Sequence, residues 1–305
     1  MNCPEDSREW HCPNERRAWP VVNSVQQCLA ALGLSFERMS LEPVGARSVK
    51  LTCGKGNHET RFCLVRQRTA DPRIVCPLTE EHRCLQQLHG VCPALVPEPI
   101  GLIQPEGGEQ FLVLAWVRGE PLGSRLQIRE RAEDVSAIIV SALSALHAAG
   151  RRCNLTALTR QIIVNGLFAV AARSPLRGSL VPPAAWDRAI EAARAAAQSA
   201  SNPTLLHCDA HAYNLMETPD GPCWLDFECL AVGPPEMDYA RAWVLLQAQA
   251  EREVSTSQTS MAQLACYFLA SSSFLESPPH DCSTKARSTI ETVLRLVTRR
   301  MQAHS

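Results

Sequence analysis

The segment that most restricts what this chain can become runs from Leu205 to Glu228, LLHCDAHAYNLMETPDGPCWLDFE. Two short apolar runs, Thr204-Leu205-Leu206 and Cys223-Trp224-Leu225, each stop at a polar cluster, and a Thr218-Pro219-Asp220-Gly221 turn lies between them. That pattern predicts a hairpin built from the two runs. The first cluster is His207-Cys208-Asp209, with Asn214 five residues past the aspartate; the second is Asp226-Phe227-Glu228. Three potential metal or proton ligands, Asp209, Asn214 and Asp226, are thereby expected at one end of one hairpin.

A carboxylate, a carboxamide and a second carboxylate suit phosphoryl transfer. The chemistry needs two oxygen ligands for a Mg²⁺ that neutralises charge on the phosphates, and a third group that orients and deprotonates the attacking hydroxyl. In protein kinases these tasks fall to an Asp, an Asn five residues later and a second Asp further on, and the matching positions here are Asp209, Asn214 and Asp226. H-x-D-x-x-x-x-N alone arises by chance in a chain of this size on the order of once in 100 sequences. Apolar-apolar-Asp-Phe-Glu just beyond a turn makes coincidence rarer still.

At these residues the sequence resembles the aminoglycoside phosphotransferase and choline kinase family. His207-Cys208-Asp209-Ala210-His211-Ala212-Tyr213-Asn214 is similar to its catalytic loop, HGDxHxxN. Leu225-Asp226-Phe227-Glu228 followed by Gly233-Pro234-Pro235-Glu236-Met237-Asp238 is similar to its metal-binding Asp and trailing G-x-P-x-x-D. The chain departs from the pattern at Cys208, where Gly is usual, and at Ala212-Tyr213, where Pro-Gly is common. The resemblance implies an α+β, bilobal, protein-kinase-like fold. Residues 1–118 would form a small antiparallel-sheet lobe that binds nucleotide, and residues 119–305 a larger, mostly helical lobe carrying catalysis and substrate binding. It implies ATP or GTP and Mg²⁺ as cofactors.

Within the first part, residues 1–18 read as a flexible charged arm. Val21, Val22, Val25, Cys28, Leu29 and Leu32 recur at helical spacing, with Gly33 at a stop position. Strands are expected over Phe36 to Val44, Val49 to Thr52 and Thr60 to Arg66, separated by turns at 45–48 and 54–57. In kinase-like enzymes the first such turn covers the nucleotide phosphates with backbone N–H groups, making Gly45 and Ser48 the candidates. A plain surface hairpin is the alternative, and Gly54-Lys55-Gly56 the competing phosphate loop. Arg66 shares a strand face with Phe62 and Leu64; the resemblance makes it the cation for the α- and β-phosphates, against a solvated Arg at a strand end. Its carboxylate partner would be Glu81, in the family's E-x-x-x-L register with Leu85, on a helix from Thr79 to Leu88 that opens on a cap signal; Glu80 is the neighbour, and a dipole-favoured helix-start carboxylate the plainer reading.

Val96 to Gly101 reads as extended because of its prolines, and Gln110 to Val117 as an apolar strand ending near Arg118. That strand resembles the family's hinge, whose backbone meets the adenine edge. Helices are expected over Val135 to Leu146, Trp186 to Ala200, Pro235 to Gln247, where Asp238 would brace the catalytic loop, and Ile290 to Met301, beyond a Ser/Pro linker at 271–283. His147 reads as a packed or capping histidine, His207 and His211 as shaping the loop, and Glu228 as a candidate for a second metal or a substrate amine.

Composition narrows the class. A net charge of −1 supplies no broad positive field for nucleic acid or a membrane surface. No apolar run approaches the roughly 18 residues of a membrane span, and the polar opening MNCPEDSREWHCPNERR lacks a signal-peptide core. The 14 cysteines sit scattered and partly inside apolar runs, which reads as reduced thiols in the cytoplasm rather than a disulfide framework. The expected partner is a small-molecule hydroxyl acceptor, an aminoglycoside-like antibiotic or an amino alcohol. The alternative is a kinase-like nucleotide-binding protein that has lost transfer; its mark would be loss of Asp209, Asn214 or Asp226, and all three are present.

Overall fold

The computed structural model describes residues 22–44, 47–66, 76–105, 109–124, 132–153, 173–198, 204–250, 267, 268, 270, 271 and 284–303. The chain divides into two compact units, residues 1–69 with 98–116, and residues 70–97 with 117–305. Together they give helix and antiparallel sheet in the α+β, protein-kinase-like arrangement.

The first unit is built on one antiparallel sheet. Helix α1 (Val22–Ala31) stops at Gly33, whose φ of +79° a side chain would disfavour. Strands β1 (Arg38–Pro43), β2 (Ser48–Lys55), β3 (His58–Arg66), β4 (Pro99–Ile103) and β5 (Phe111–Ala115) lie in the order β1-β2-β3-β5-β4. Strict alternation in β2 turns Val49, Leu51 and Cys53 inward. Leu51 and Cys53 pack with Phe62, Leu64, Phe111 and Val113 of the neighbouring strands and Val25 and Leu29 of α1. β2 is longer than its sequence expectation: it continues through Gly54 and Lys55, which pair with Glu59 and His58. Gly54-Lys55-Gly56 is therefore strand and tight turn, with Gly56 at φ +57°.

The second unit carries helix α2 (Leu78–Val91), which packs against a 3-10 turn (Pro93–Leu95) and helix α3 (Ala132–Arg152). The Thr79 cap does not form: the helix starts at Leu78 behind Pro77, with no side-chain cap, because proline already sets an extended entry and Thr79 falls inside the first turn. α3 extends beyond its expected Val135–Leu146 core at both ends. Helix α4 (Pro183–Gln198), helix α5 (Glu236–Ala250) and helix α6 (Thr284–Ala303) enclose a core around Trp186, Val244, Phe268, Leu294 and Val297.

The expected hairpin is not the one that forms. Strand β7 (Thr204–Leu206) pairs with β10 (Ala231–Gly233), while β8 (Leu215–Thr218) and β9 (Gly221–Trp224) make the hairpin around the Thr-Pro-Asp-Gly turn, with β6 (Glu120–Pro121) on the edge of β8. Leu215-Met216 is itself an apolar run directly before the turn, so it takes the partner assigned to Thr204–Leu206. The fully buried Thr204–Leu206 has no polar face to leave in solvent and sits instead between β10 and α3.

α3 lies against β7 at Gly150, where a Cβ would come within 2.7 Å of the Leu205 Cβ. Gly150→Ala should lower stability by about 1–2 kcal/mol, overpacking outweighing the gain in helix propensity. A shift of the denaturant midpoint checks this; an unchanged or raised midpoint contradicts it.

Candidate active site

The loop after β7 is held by one buried carboxylate. Asp238, in the first turn of α5, has no solvent exposure. Its Oδ2 accepts from the His207 backbone N–H at 2.9 Å and from His147 Nε2 at 2.9 Å; its Oδ1 accepts from the Cys208 N–H at 2.7 Å. His147 belongs to α3, and its carbonyl accepts from the Thr204 hydroxyl at 2.9 Å, so α3, β7, the loop and α5 are tied at one point. His147 is thus a packed histidine with a specific acceptor, and its ring meets Tyr239 edge-on.

His207 is a strut. Its Nε2 donates to the Leu225 carbonyl at 2.8 Å while its Nδ1 accepts from the Asp209 N–H at 3.3 Å, which defines a neutral tautomer. Burial pushes its pKa down, opposed by Asp238 and Asp209. The ring lies between Trp224 and Phe227, centroids 5.1 and 4.7 Å away. It links the loop to the segment that carries Asp226.

Asp209 is gripped at both oxygens. Arg241 Nη2 donates to Oδ1 at 3.0 Å; Asn214 Nδ2 donates to Oδ2 at 3.3 Å and to the Asp209 carbonyl at 3.0 Å; His211 Nε2 stands 3.6 Å from Oδ2. Burial works to raise the pKa of this carboxyl, but His211 and Arg241 outweigh it and hold the group far below the usual carboxylate range. Asp209 is therefore a carboxylate near neutral pH. With its NH₂ spent on Asp209, Asn214 keeps its side-chain oxygen as the atom able to bind a cation. The Asn214 carbonyl accepts from the Leu225 N–H at 2.7 Å, which sets Asn214 beside the residue preceding Asp226.

Two residues of this site have left-handed backbone, Cys208 at φ +61° and Asp226 at φ +58°. Each costs on the order of 1 kcal/mol or more for a residue with a Cβ. Cys208 is the position where the resembled family has Gly, and the left-handed conformation is the reason glycine suits it. The Asp238 hydrogen bonds hold the loop in that shape.

The structure brings Asp209, Asn214 and the Leu225–Asp226 peptide together. Arg66 and Glu81 are each buried, 5% and 1% exposed, in the first and second unit respectively. Glu80 instead pairs with Arg83 near the surface. Ser48 opens β2 opposite Val65, and Gly45 lies outside the described residues. Glu228 is 3% exposed, with its carbonyl accepting from Cys76 N–H at 2.6 Å. Arg241 went unread in the sequence, although it lies three residues past Asp238 and so on the same helix face; that spacing was the available signal. Among the described residues no cluster of three or more His, Cys, Asp or Glu side chains gathers as a metal site. Asn214 and Asp226 carry side-chain oxygens, the donor chemistry that suits Mg²⁺, an ion that keeps several waters and takes the rest of its shell from substrate phosphates. The described cysteines are free thiols, and burial pushes Cys53, Cys84 and Cys223 up to about 12.

A family model described as "Phosphotransferase enzyme family" (APH) matches residues 51–262. The chain belongs to that family. A search of curated proteins finds no match. In fold, this phosphotransferase is similar to a thermostable mutant of aminoglycoside phosphotransferase APH(4)-Ia solved as a ternary complex with AMP-PNP and hygromycin B. The TM-score is 0.59 at 14% identity, covering 92% of this chain and 99% of that one. A separate structure of aminoglycoside phosphotransferase APH(4)-Ia gives a TM-score of 0.57 at 12% identity, covering 92% and 99%.

Replacing Cys208 tests the strain in this phosphotransferase. Cys208→Gly should leave the unfolding midpoint equal to or above the wild type, whereas Cys208→Val, β-branched at positive φ, should cost about 1–2 kcal/mol. Thermal melts of both variants decide; a Gly variant less stable than the Val variant contradicts the assignment.

Proposed function

We propose that the chain transfers the γ-phosphoryl group of ATP or GTP to a hydroxyl of a small molecule, in the cytoplasm where nucleoside triphosphate is supplied. The observation that carries the reading is the Asp209 carboxylate, half-buried and held at both oxygens, in hydrogen-bond contact with an Asn whose amide oxygen is left for a cation. The elements up to residue 118 hold the nucleotide and those from 119 on carry catalysis and the acceptor. Asn214 and Asp226 would hold Mg²⁺, which when bound would neutralise charge on the nucleotide phosphates. As the resemblance implies, the candidates for the phosphates are Arg66, with Glu81 as its carboxylate partner, and Gly45 and Ser48.

In the reaction the acceptor oxygen bonds to the γ-phosphorus as the bond from that phosphorus to the β,γ-bridging oxygen breaks, and nucleoside diphosphate leaves. A carboxylate as acidic as Asp209 is a weak base toward an alcohol. Its part is to accept the hydroxyl's hydrogen bond and aim the oxygen in line, the proton passing to it late, once bonding to phosphorus has acidified the hydroxyl. The acceptor class, an aminoglycoside-like antibiotic or an amino alcohol, rests on the family resemblance.

Acceptor-dependent ADP formation with Mg²⁺ and a panel of hygromycin B, other aminoglycosides, choline and ethanolamine tests the reading. Asp209→Asn should lower kcat by about 10²–10⁴-fold with nucleotide affinity near wild type, and Asp226→Asn should raise the Mg²⁺ concentration needed for half-maximal rate. An Asp209→Asn protein as fast as wild type contradicts it.

A further inference from the structure

Asp238 and Arg241 occupy one turn of α5 and divide the catalytic loop between them. Asp238 holds the backbone N–H groups of His207 and Cys208, while Arg241 reaches the carboxylate of the next residue, Asp209. The Arg241 and Asp209 side chains are 21% and 22% exposed, so their ion pair is partly shielded from water and weakened less by screening than a surface pair. Arg241 Nε and Nη1 are buried and have no acceptor among the described residues. Among those residues Asp209 is thus the side-chain anchor of this cation, and each member of the pair compensates the other's burial.

The contact also settles a geometric problem. An aspartate side chain left to itself samples several rotamers, and misplacing a reacting group by about 1 Å costs on the order of 10²-fold in rate. Asn214 and His211 approach only Oδ2. Arg241 fixes Oδ1, and with it the rotation of the carboxylate plane. The cation comes from a helix in a packed core rather than from the loop, so the aim of Asp209 is referred to α5.

We propose that Arg241 is a positioning residue of the transfer reaction, holding the Asp209 carboxylate in the one rotamer that an acceptor hydroxyl meets. This rests on the phosphotransferase reading. Arginine suits the contact better than lysine, because the planar guanidinium aims its Nη2 N–H at Oδ1 in a fixed direction where a lysine ammonium supplies only charge.

Among the described residues, the charged groups that act on Asp209 are His207 and His211 of its own loop and Arg241 of α5, and the Cys208 and Cys229 thiols feel its charge. Of these, His211 and Arg241 are the main ones lowering Asp209.

The test uses the full chain and two variants, Arg241→Met and Arg241→Lys, with ATP, Mg²⁺ and either hygromycin B or water as acceptor. Arg241→Met should lower kcat about 10²-fold with nucleotide KM within a few-fold of wild type. Selective ¹³C labelling of aspartate, with Asp209 assigned by its loss in Asp209→Asn, should show its carboxyl resonance displaced at neutral pH in Arg241→Met. Arg241→Lys should keep the carboxyl resonance nearer its wild-type position yet recover kcat only in part; it also serves if the Met variant does not fold. A purely structural role would lower the thermal midpoint with kcat and the Asp209 carboxyl resonance unchanged, and that result overturns the proposal. A wild type forming ADP with neither acceptor, while its Asp209 carboxyl still responds to Arg241→Met, overturns the phosphotransferase reading and with it the catalytic meaning of the contact.

Discussion

A carboxylate with no access to water is the constraint on which the catalytic region depends. Burying the Asp238 charge costs several kcal/mol, and removing one partner of such a group is expensive because the remainder is left uncompensated. The fold answers with three donors from three places: the His147 ring on α3 and the backbone N–H groups of His207 and Cys208. Each donor is useful only where Asp238 can reach it. The requirement therefore fixes α3, β7 and α5 against one another and shapes the start of the loop.

Strain follows from that shape. Cys208 and Asp226 both adopt positive φ, one on each side of His207's bridge from the loop to the Leu225 carbonyl. Such conformations persist only where the surroundings over-determine them. Here the Asp238 bonds hold one and the β8–β9 hairpin with the Leu225-to-Asn214 hydrogen bond brackets the other. The result is a pre-set aspartate, Asp209, whose charge and direction come from neighbours on different elements, which is the kind of preorganisation that charge development in a transition state rewards.

The sequence made the chemistry easier to read than the pairing. Asp209, Asn214 and Asp226 stand at the spacing that kinases use for phosphoryl transfer, and the family model agrees with the class it indicates. The sheet of the first unit followed from alternating burial in β2 and from Gly56 at its turn. Strand partners did not follow, because an apolar run records burial and not which neighbour buries it: Thr204–Leu206 and Leu215–Met216 were both suitable mates for Cys223–Trp224, and only the fold shows β7 taking β10. Arg241 stayed hidden for a related reason. A basic residue on an amphipathic helix reads as solvated until a partner 32 positions away is placed beside it.

The most direct test of the account is hydrogen exchange at the His207 and Cys208 amides, measured in the wild type and in Asp238→Asn. If the buried carboxylate organises the loop, both amides are strongly protected in the wild type and lose that protection in the variant, while the β2 and β3 amides of the first unit keep theirs. Equal protection at His207 and Cys208 in the two proteins would contradict it, and the loop would have to be held by something other than Asp238.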